Sequence, residues 1–238
     1  MSRASGPPVP PARLEPPAIL VASFNPGKAA ELRALLAAAG YATTTLAEVG
    51  VLEPFEESAA PDVTYESNGL GKARHYARLS GRVAIADDSG LEVEALGGWP
   101  GPLSARYGGE GLDDAARNKL ILEAVRGLPE ERRVARYVAV AVVARPDGAA
   151  RAFRGECAGR IAAAPSGAGG FGYDPIFLDP EMGKTFAEIT PERKHAVSHR
   201  GRAFAALAEF LKSEEGRRFI AAGAPGGAPE GAAPGTTA

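Results

Sequence analysis

Nothing in this chain limits its fold and chemistry as sharply as Ala84–Tyr107, which reads AIADDSGLEVEALGGWPGPLSARY. The apolar run Val83–Ala86 has strand length and passes directly into Asp87, Asp88, Ser89 and Gly90. Carboxylates at the end of a buried strand are costly to desolvate unless they are hydrogen-bonded, paired with cations or bound to a metal. Asp-Ser-Gly is also ordinary turn chemistry, so a strand-to-strand turn is the structural alternative to a working acid pair.

Length and charge narrow the classes. With 238 residues, 45% of them hydrophobic, the chain can bury a core of one α/β domain or two closely packed lobes. A formal net charge of -2 gives no global basic field, which argues against nucleic-acid binding and leaves any anionic ligand to locally clustered cations. A single cysteine, Cys157, excludes a disulfide framework and a multi-cysteine metal site and fits a reducing compartment. Prolines interrupt the N-terminus where a signal peptide needs a continuous apolar core, and no apolar run is long enough to cross a bilayer. A soluble, cytoplasmic protein with no membrane contact is expected.

Residues 1–17 and 221–238 are rich in Pro, Gly and Ala and are expected to be disordered tails around a folded domain at 18–220. Ala18–Ser23 reads as a strand. Asn25 then caps a helix with Pro26 at its first position and Gly40 at its end. A second strand is expected at Tyr41–Leu46, an acidic loop at Phe55–Asp62 and a helix at Thr64–Leu79. Beyond the central stretch, Asp113–Gly127 reads as a helix and Ala135–Ala144 as a long buried strand. The turn Pro146-Asp147-Gly148 predicts an antiparallel hairpin with Ala149–Cys157. A short strand at Arg160–Ala163, a glycine-rich loop at Pro165–Pro175, a strand at Ile176–Leu178 and a last helix at Ser198–Lys212 follow. Helices interleaved with strands, plus one hairpin, predict an α/β fold with a mixed sheet.

Several clusters carry candidate chemistry. In Ser23-Phe24-Asn25-Pro26-Gly27-Lys28 a strand ends where a helix begins, so free N–H groups, the helix dipole and Lys28 favour a phosphate. It is not a Walker loop: Ala22 stands where the first glycine would fall and Ala29 where Ser or Thr should follow the lysine. Glu56, Glu57 and Asp88 are oxygen ligands suited to Mg²⁺. Asn68 and Lys72 lie one helical turn apart. Phe171-Gly172-Tyr173-Asp174 sets two aromatics in the glycine-rich loop, fit to stack on a base, and Lys194, His199 and Arg200 form a second donor cluster. Taken singly, each has a plain structural reading as a capped helix, a solvated acidic loop, a surface lysine or buried aromatic packing.

Together the motifs resemble a family. SFNPGK at 23–28, EE at 56–57, TYESN followed by Lys72, ADDSGLEVEALGGWPG at 86–101, SARY at 104–107, GGFGYDPIF at 169–177 and KHAVSHRG at 194–201 are similar, in order, to the non-canonical purine nucleoside triphosphate pyrophosphatases, the inosine/xanthosine triphosphate diphosphatases. The likeness spans about residues 19–211. Two departures are Gly69, where the family usually has alanine, and a slightly long loop at Ser58–Val63. The resemblance implies a two-lobed α/β fold with a long mixed sheet, a substrate cleft between the lobes and a homodimer. It implies Mg²⁺-dependent hydrolysis of ITP, dITP and XTP to the monophosphate and pyrophosphate, which cleans the nucleotide pool. By the same resemblance Ser23–Lys28, Lys72 and Lys194 meet the substrate's phosphates, Glu56 and Asp88 the metal, and Asp88 activates water; Ser89 is a further substrate-binding residue. Phe171, Gly172, Tyr173, Asp174, His199 and Arg200 hold base and sugar.

The chemistry asks for such a set on its own account. A metal-bound triphosphate remains anionic, and cations must offset that charge before water can approach phosphorus. A donor such as Arg200 or a backbone N–H bonds a 6-oxo group and is left unpaired by the 6-amine of adenine. That contact does not exclude guanine. A pyrophosphatase for altered pyrimidines and a nucleotide sensor without turnover are the competing readings; an oxidoreductase lacks the G-x-G-x-x-G it would need after the first strand.

Overall fold

The computed structural model describes residues 18–223 except Ala59 and Pro61; the expected tails at 1–17 and 224–238 lie outside the described residues. In chain order the elements are β1 (Ile19–Val21), α1 (Pro26–Ala38), β2 (Thr43–Thr45), α2 (Tyr65–Ser80), β3 (Ala84–Val93), α3 (Asp114–Ala124), β4 (Val134–Ala144), β5 (Ala150–Ile161), β6 (Phe177–Asp179), β7 (Lys184–Thr185), α4 (Pro191–Val197), α5 (His199–Lys212) and α6 (Glu214–Ala222). The seven strands form one mixed sheet, ordered β2-β1-β3-β4-β5-β6-β7, in which β1 is parallel to β2 and β3 and the remaining pairs are antiparallel. This is the expected α/β architecture.

The long strands β3, β4 and β5 run through both halves of the molecule. At one half, α1, α5 and α6 cover one sheet face through Leu32, Leu36, Phe204, Leu207 and Phe219, and α2 covers the other through Tyr65, Ala73, Tyr76 and Ala77. That double cover explains why β4 is apolar almost throughout instead of alternating. At the other half a third core gathers Leu91, Val93, Ile121, Tyr137, Ile161 and Phe177. The opening between the halves is where the candidate motifs converge.

Three expectations need correction. First, β3 does not end before the aspartates. It continues through Asp87, Asp88 and Ser89, pairing Asp87 with Ala141 and Asp88 with Val140, because β4 offers an unbroken partner ladder. The Asp-Ser-Gly sequence is therefore strand, not turn. Second, the two strands expected at Ala149–Cys157 and Arg160–Ala163 are one twelve-residue strand, β5. Third, α4 and α6 have no counterpart among the expected helices. Thr190 and Ser213 cap their first turns, and α6 carries Glu214 and Glu215 where the helix dipole favours anions. Phe219 and Ile220 of α6 are core residues, so the helix crosses the boundary expected at 220 and runs to Ala222.

Gly155 shows how closely α5 sits on the sheet: a Cβ there would press on the His199 carbonyl oxygen and the Ala203 nitrogen. Since α5 begins with His199 and Arg200, Gly155→Ala is expected to cost about 1–3 kcal/mol of stability and to displace both side chains. Denaturant unfolding measures the first effect. An unchanged unfolding midpoint would show that α5 yields without cost.

Candidate active site

Because β3 is extended through the acid pair, Asp87 and Asp88 point to opposite sheet faces. Asp87 shares the face of Ile85 and Ala141 with α1 and α5; Asp88 shares that of Ala86 and Val140 with α2. Both are almost fully buried. Their surroundings differ completely.

Asp87 is enclosed by cations. Its Oδ2 lies 3.0 Å from Lys28 Nζ and 3.4 Å from Arg200 Nε. Burial opposes its charge, but Lys28, Arg200 and Lys72 hold the carboxyl well below the ordinary range. Arg200 also donates to Ser89 Oγ at 3.1 Å and lies 3.5 Å from Glu31 of α1. Lys28 has its own pKa lowered, first by burial and then by Arg200 and Lys72, despite the pull of Asp87. Two cations, Lys28 and Arg200, thus meet two carboxylates, Asp87 and Glu31, at this corner.

On the α2 face, Asp88 Oδ1 accepts from the Ser89 N–H at 2.9 Å, while Oδ2 is buried with no partner among the described residues. Burial pushes the carboxyl up to about 6; Glu57 and Asp87 push the same way, against Lys72 and Lys28. Gly69 lets α2 approach, since a Cβ there would stand 3.9 Å from that of Asp88 and 3.1 Å from Val142 Cγ2. Lys72, one turn on, donates to the Asp87 carbonyl at 3.2 Å and is ion-paired with Glu57. Burial lowers the pKa of Lys72, but Glu57, Asp88 and Asp87 together leave it raised, so the ammonium stays charged.

Glu57, not Glu56, is the loop carboxylate at this site. Glu56 is exposed and lines a separate groove with Leu52, His75 and Leu79, because adjacent residues of the extended loop face opposite ways. Among the described residues no group of three or more His, Cys, Asp or Glu is arranged to hold a metal alone. The orphaned Oδ2 of Asp88 with Glu57 nearby nonetheless fits a hard cation that takes a few carboxylate oxygens and fills its shell with water and phosphate.

Two clefts meet here. One is lined by Ser23, Phe24, Asn25, Lys28, Glu57, Lys72 and Asp87, among others. The other is lined by Ser89, Tyr137, Phe171–Asp174, Lys194, His199 and Arg200, among others. Asn25 and Lys28 are the residues common to both. Asn25 caps α1 by accepting from the Lys28 N–H at 3.1 Å. Pro26 and Gly27 form the first helical turn and line neither cleft; Gly27 leaves room for the Phe171 ring, whose Cε1 would stand 3.5 Å from a Cβ there.

The second cleft is fixed by its loop. Asp174 accepts from the Phe171 N–H at 2.8 Å and pairs with the buried ammonium of Lys194. Lys194 and Arg200 face the Phe171 ring, 4.5 Å and 5.2 Å from its centroid. His199 stacks on Tyr137 at 4.4 Å and 12°. Burial, with Arg200 and Lys194 nearby, drives its pKa well down and keeps the imidazole neutral, and its Nδ1 is buried without a partner among the described residues. The structure thus brings together the predicted Ser23, Phe24, Asn25, Lys28, Lys72, Asp88, Ser89, Phe171–Asp174, Lys194, His199 and Arg200. It adds Tyr137, Asp114 and Arg117, expected only as strand and helix residues, and Ser104, which the sequence offered only within the SARY motif.

Comparison with known proteins adds one decisive match: the Ham1 family profile covers residues 19–210. The chain belongs to the Ham1 family. A dITP/XTP pyrophosphatase of Thermus thermophilus is 51% identical over 194 residues, 82% of this chain and 91% of that one. One of Mycolicibacterium paratuberculosis is 47% identical over 196 residues, 82% and 96% of the two chains. Among solved structures, a HAM1 protein from Coxiella burnetii superposes with a TM-score of 0.74 at 38% identity, covering 82% of this chain and 98% of that one. For this Ham1-family chain the two-faced acid pair makes a stability prediction. Folded Asp88 holds its proton to about pH 6, against 3.8 as reference, so without metal it makes the fold more stable as pH falls from 6 to 4 and less stable above that. Asp88→Asn in EDTA is therefore expected to melt higher than the parent at pH 7.5, by about 1–3 kcal/mol, with the advantage shrinking toward pH 4. A parent that melts as high as the variant at pH 7.5 would show that ionised Asp88 is at no cost.

Proposed function

We propose that this chain hydrolyses deaminated purine nucleoside triphosphates, dITP, ITP and XTP, to the monophosphate and pyrophosphate, and so removes them from the nucleotide pool. The observation that carries the reading is the buried, unpartnered Oδ2 of Asp88, with Lys72 and Glu57 acting on its charge, next to a cleft lined by Lys28, Lys72, Glu57 and Asp87 that shares Asn25 and Lys28 with an aromatic one. The names of the relatives support the same substrates. Mg²⁺ is the metal that fits, held by Asp88 and Glu57, where it would neutralise charge on the transferred phosphate.

The triphosphate lies in the first cleft, against Lys28, Lys72 and the α1 N-terminus. Its nucleoside enters the second, with the base beside Phe171 and His199. Asp88 accepts a proton from the attacking water, whose oxygen bonds to phosphorus as the bond joining α and β phosphates breaks. Pyrophosphate leaves with the electron pair, and the nucleotide leaves as the monophosphate. Even without metal, where burial holds the carboxyl up near 6, Asp88 is ionised at neutral pH and so is available both to the metal and to the water's proton. Asp87 binds neither water nor metal; it holds Lys28 and Arg200 in place. Neutral His199 offers a donor or acceptor to the base without adding charge. The lone buried cysteine and near-neutral charge accord with a cytoplasmic location, and among the described residues no helix is long and apolar enough to cross a membrane. Homodimerisation belongs to the same reading, through the family resemblance.

The test offers a mixture of nucleoside triphosphates with Mg²⁺ and identifies products by anion-exchange chromatography. dITP, ITP and XTP are expected to yield monophosphate and pyrophosphate. Asp88→Asn should lower turnover by roughly a hundred- to ten-thousand-fold or more while folding well. Asp87→Asn should instead lose stability, of the order of 3–5 kcal/mol, because it strands two buried cations. Release of single phosphates, or near-normal turnover in Asp88→Asn, would overturn the mechanism.

A further inference from the structure

A 6-oxo group separates adenine from hypoxanthine, xanthine and guanine but does not separate the last three, which differ only at C2. Hypoxanthine carries hydrogen there, xanthine an oxygen acceptor and guanine an amine donor. The first residues of α3 stand where that difference can be read.

The two clefts share Asn25 and Lys28, so with phosphates against Lys28 and Lys72 in the first cleft the nucleoside extends from that junction into the other. Asp114 and Arg117, both from α3, line only this second cleft. The Arg117 side chain is 14% exposed, and its Nε is buried with no hydrogen-bond partner among the described residues. Its closest charged neighbour is Asp114, at a loose 3.8 Å. Asp114 is tied to the loop through its other oxygen: Oδ2 accepts from the Gly172 N–H at 2.7 Å, while Oδ1 is the atom 3.8 Å from Arg117. Asn118, one turn on, donates to the Gly172 carbonyl at 3.1 Å. So α3 grips both sides of Gly172 in the base loop and, from the same turn, presents a guanidinium with donors to spare. Nη1 meets Asp114 only at 3.8 Å, too long for a hydrogen bond, so the outer end of a guanidinium that lines the cleft can take a ligand acceptor.

We propose that Arg117 is a specificity-determining residue that donates to the 2-oxo group of xanthine. The assignment rests on the reading of the site as a nucleoside triphosphate cleft. Xanthine satisfies the guanidinium. Hypoxanthine brings it no acceptor, and guanine sets an amine donor against it. Arg117 thereby supplies the discrimination against GTP that a 6-oxo contact lacks.

The test is steady-state kcat/KM for XTP, ITP and GTP, three ribonucleotides differing only at C2, in the parent, Arg117→Gln and Arg117→Lys. The parent should prefer XTP and ITP to GTP. Arg117→Gln should lower the XTP/ITP ratio by roughly ten-fold or more, as for loss of a charge-assisted hydrogen bond, and relax rejection of GTP. Arg117→Lys should restore part of the ratio. Turnover of ITP reports that each variant is folded. An unchanged XTP/ITP ratio in both variants overturns the proposal, and so does a parent that consumes GTP as readily as XTP, which needs no variant. A parent that converts none of the three refutes the function instead.

Discussion

The site depends on one buried ion cluster. Asp87 sits inside a sheet, covered on its face by α1 and α5, and is tolerable there only because Lys28 and Arg200 reach it from those two helices. The cost of burying the carboxylate therefore becomes a geometric tie: strand, α1 N-terminus and α5 N-terminus must meet at one point. Ser89 and Glu31 extend the tie through Arg200. Every phosphate-facing group on the α1 side inherits its position from that contact.

The neighbouring residue has the opposite character. Asp88 has an equally deep setting but no comparable clamp; Lys72 is shared with Glu57 and with the backbone of Asp87. Its unsatisfied oxygen and raised pKa are what a stability-driven sequence would remove. In the proposed mechanism that oxygen, beside its fully paired twin, is the reacting end of the site. The same contrast recurs in the second cleft, where Asp174 is fully engaged by Lys194 and the Phe171 N–H while His199 Nδ1 is left open.

Much of this was legible in the sequence for local reasons. Asn25 and Pro26 announce a helix start, Asp147-Gly148 a hairpin, and the apolar run of β4 a central strand. The extent of β3 was not legible, because Asp-Ser-Gly has turn propensity and only the ladder with β4 overrides it. The choice between Glu56 and Glu57 was also hidden: adjacent residues in a loop differ by which way the chain turns, and that is settled by the ion pair with Lys72, on the next helix. Asp114 and Arg117 gave no signal beyond helix, since the base loop that α3 meets at Gly172 lies far along the chain. The family resemblance supplied the order of the motifs, and the geometry supplied which faces they occupy.

The continuity of β3 through the acid pair has an evolutionary consequence. In an extended strand a residue's face is set by parity, so inserting or deleting one residue between Val83 and Asp87 would transpose the two carboxylates. The clamp would swing toward α2, and the unpartnered oxygen of Asp88 would fall among Lys28 and Arg200. No single substitution repairs that exchange. Length in this short segment should thus be held fixed across descendants even where side chains drift. The strand acts as a frame in which the count of residues, more than their identity, is the inherited property.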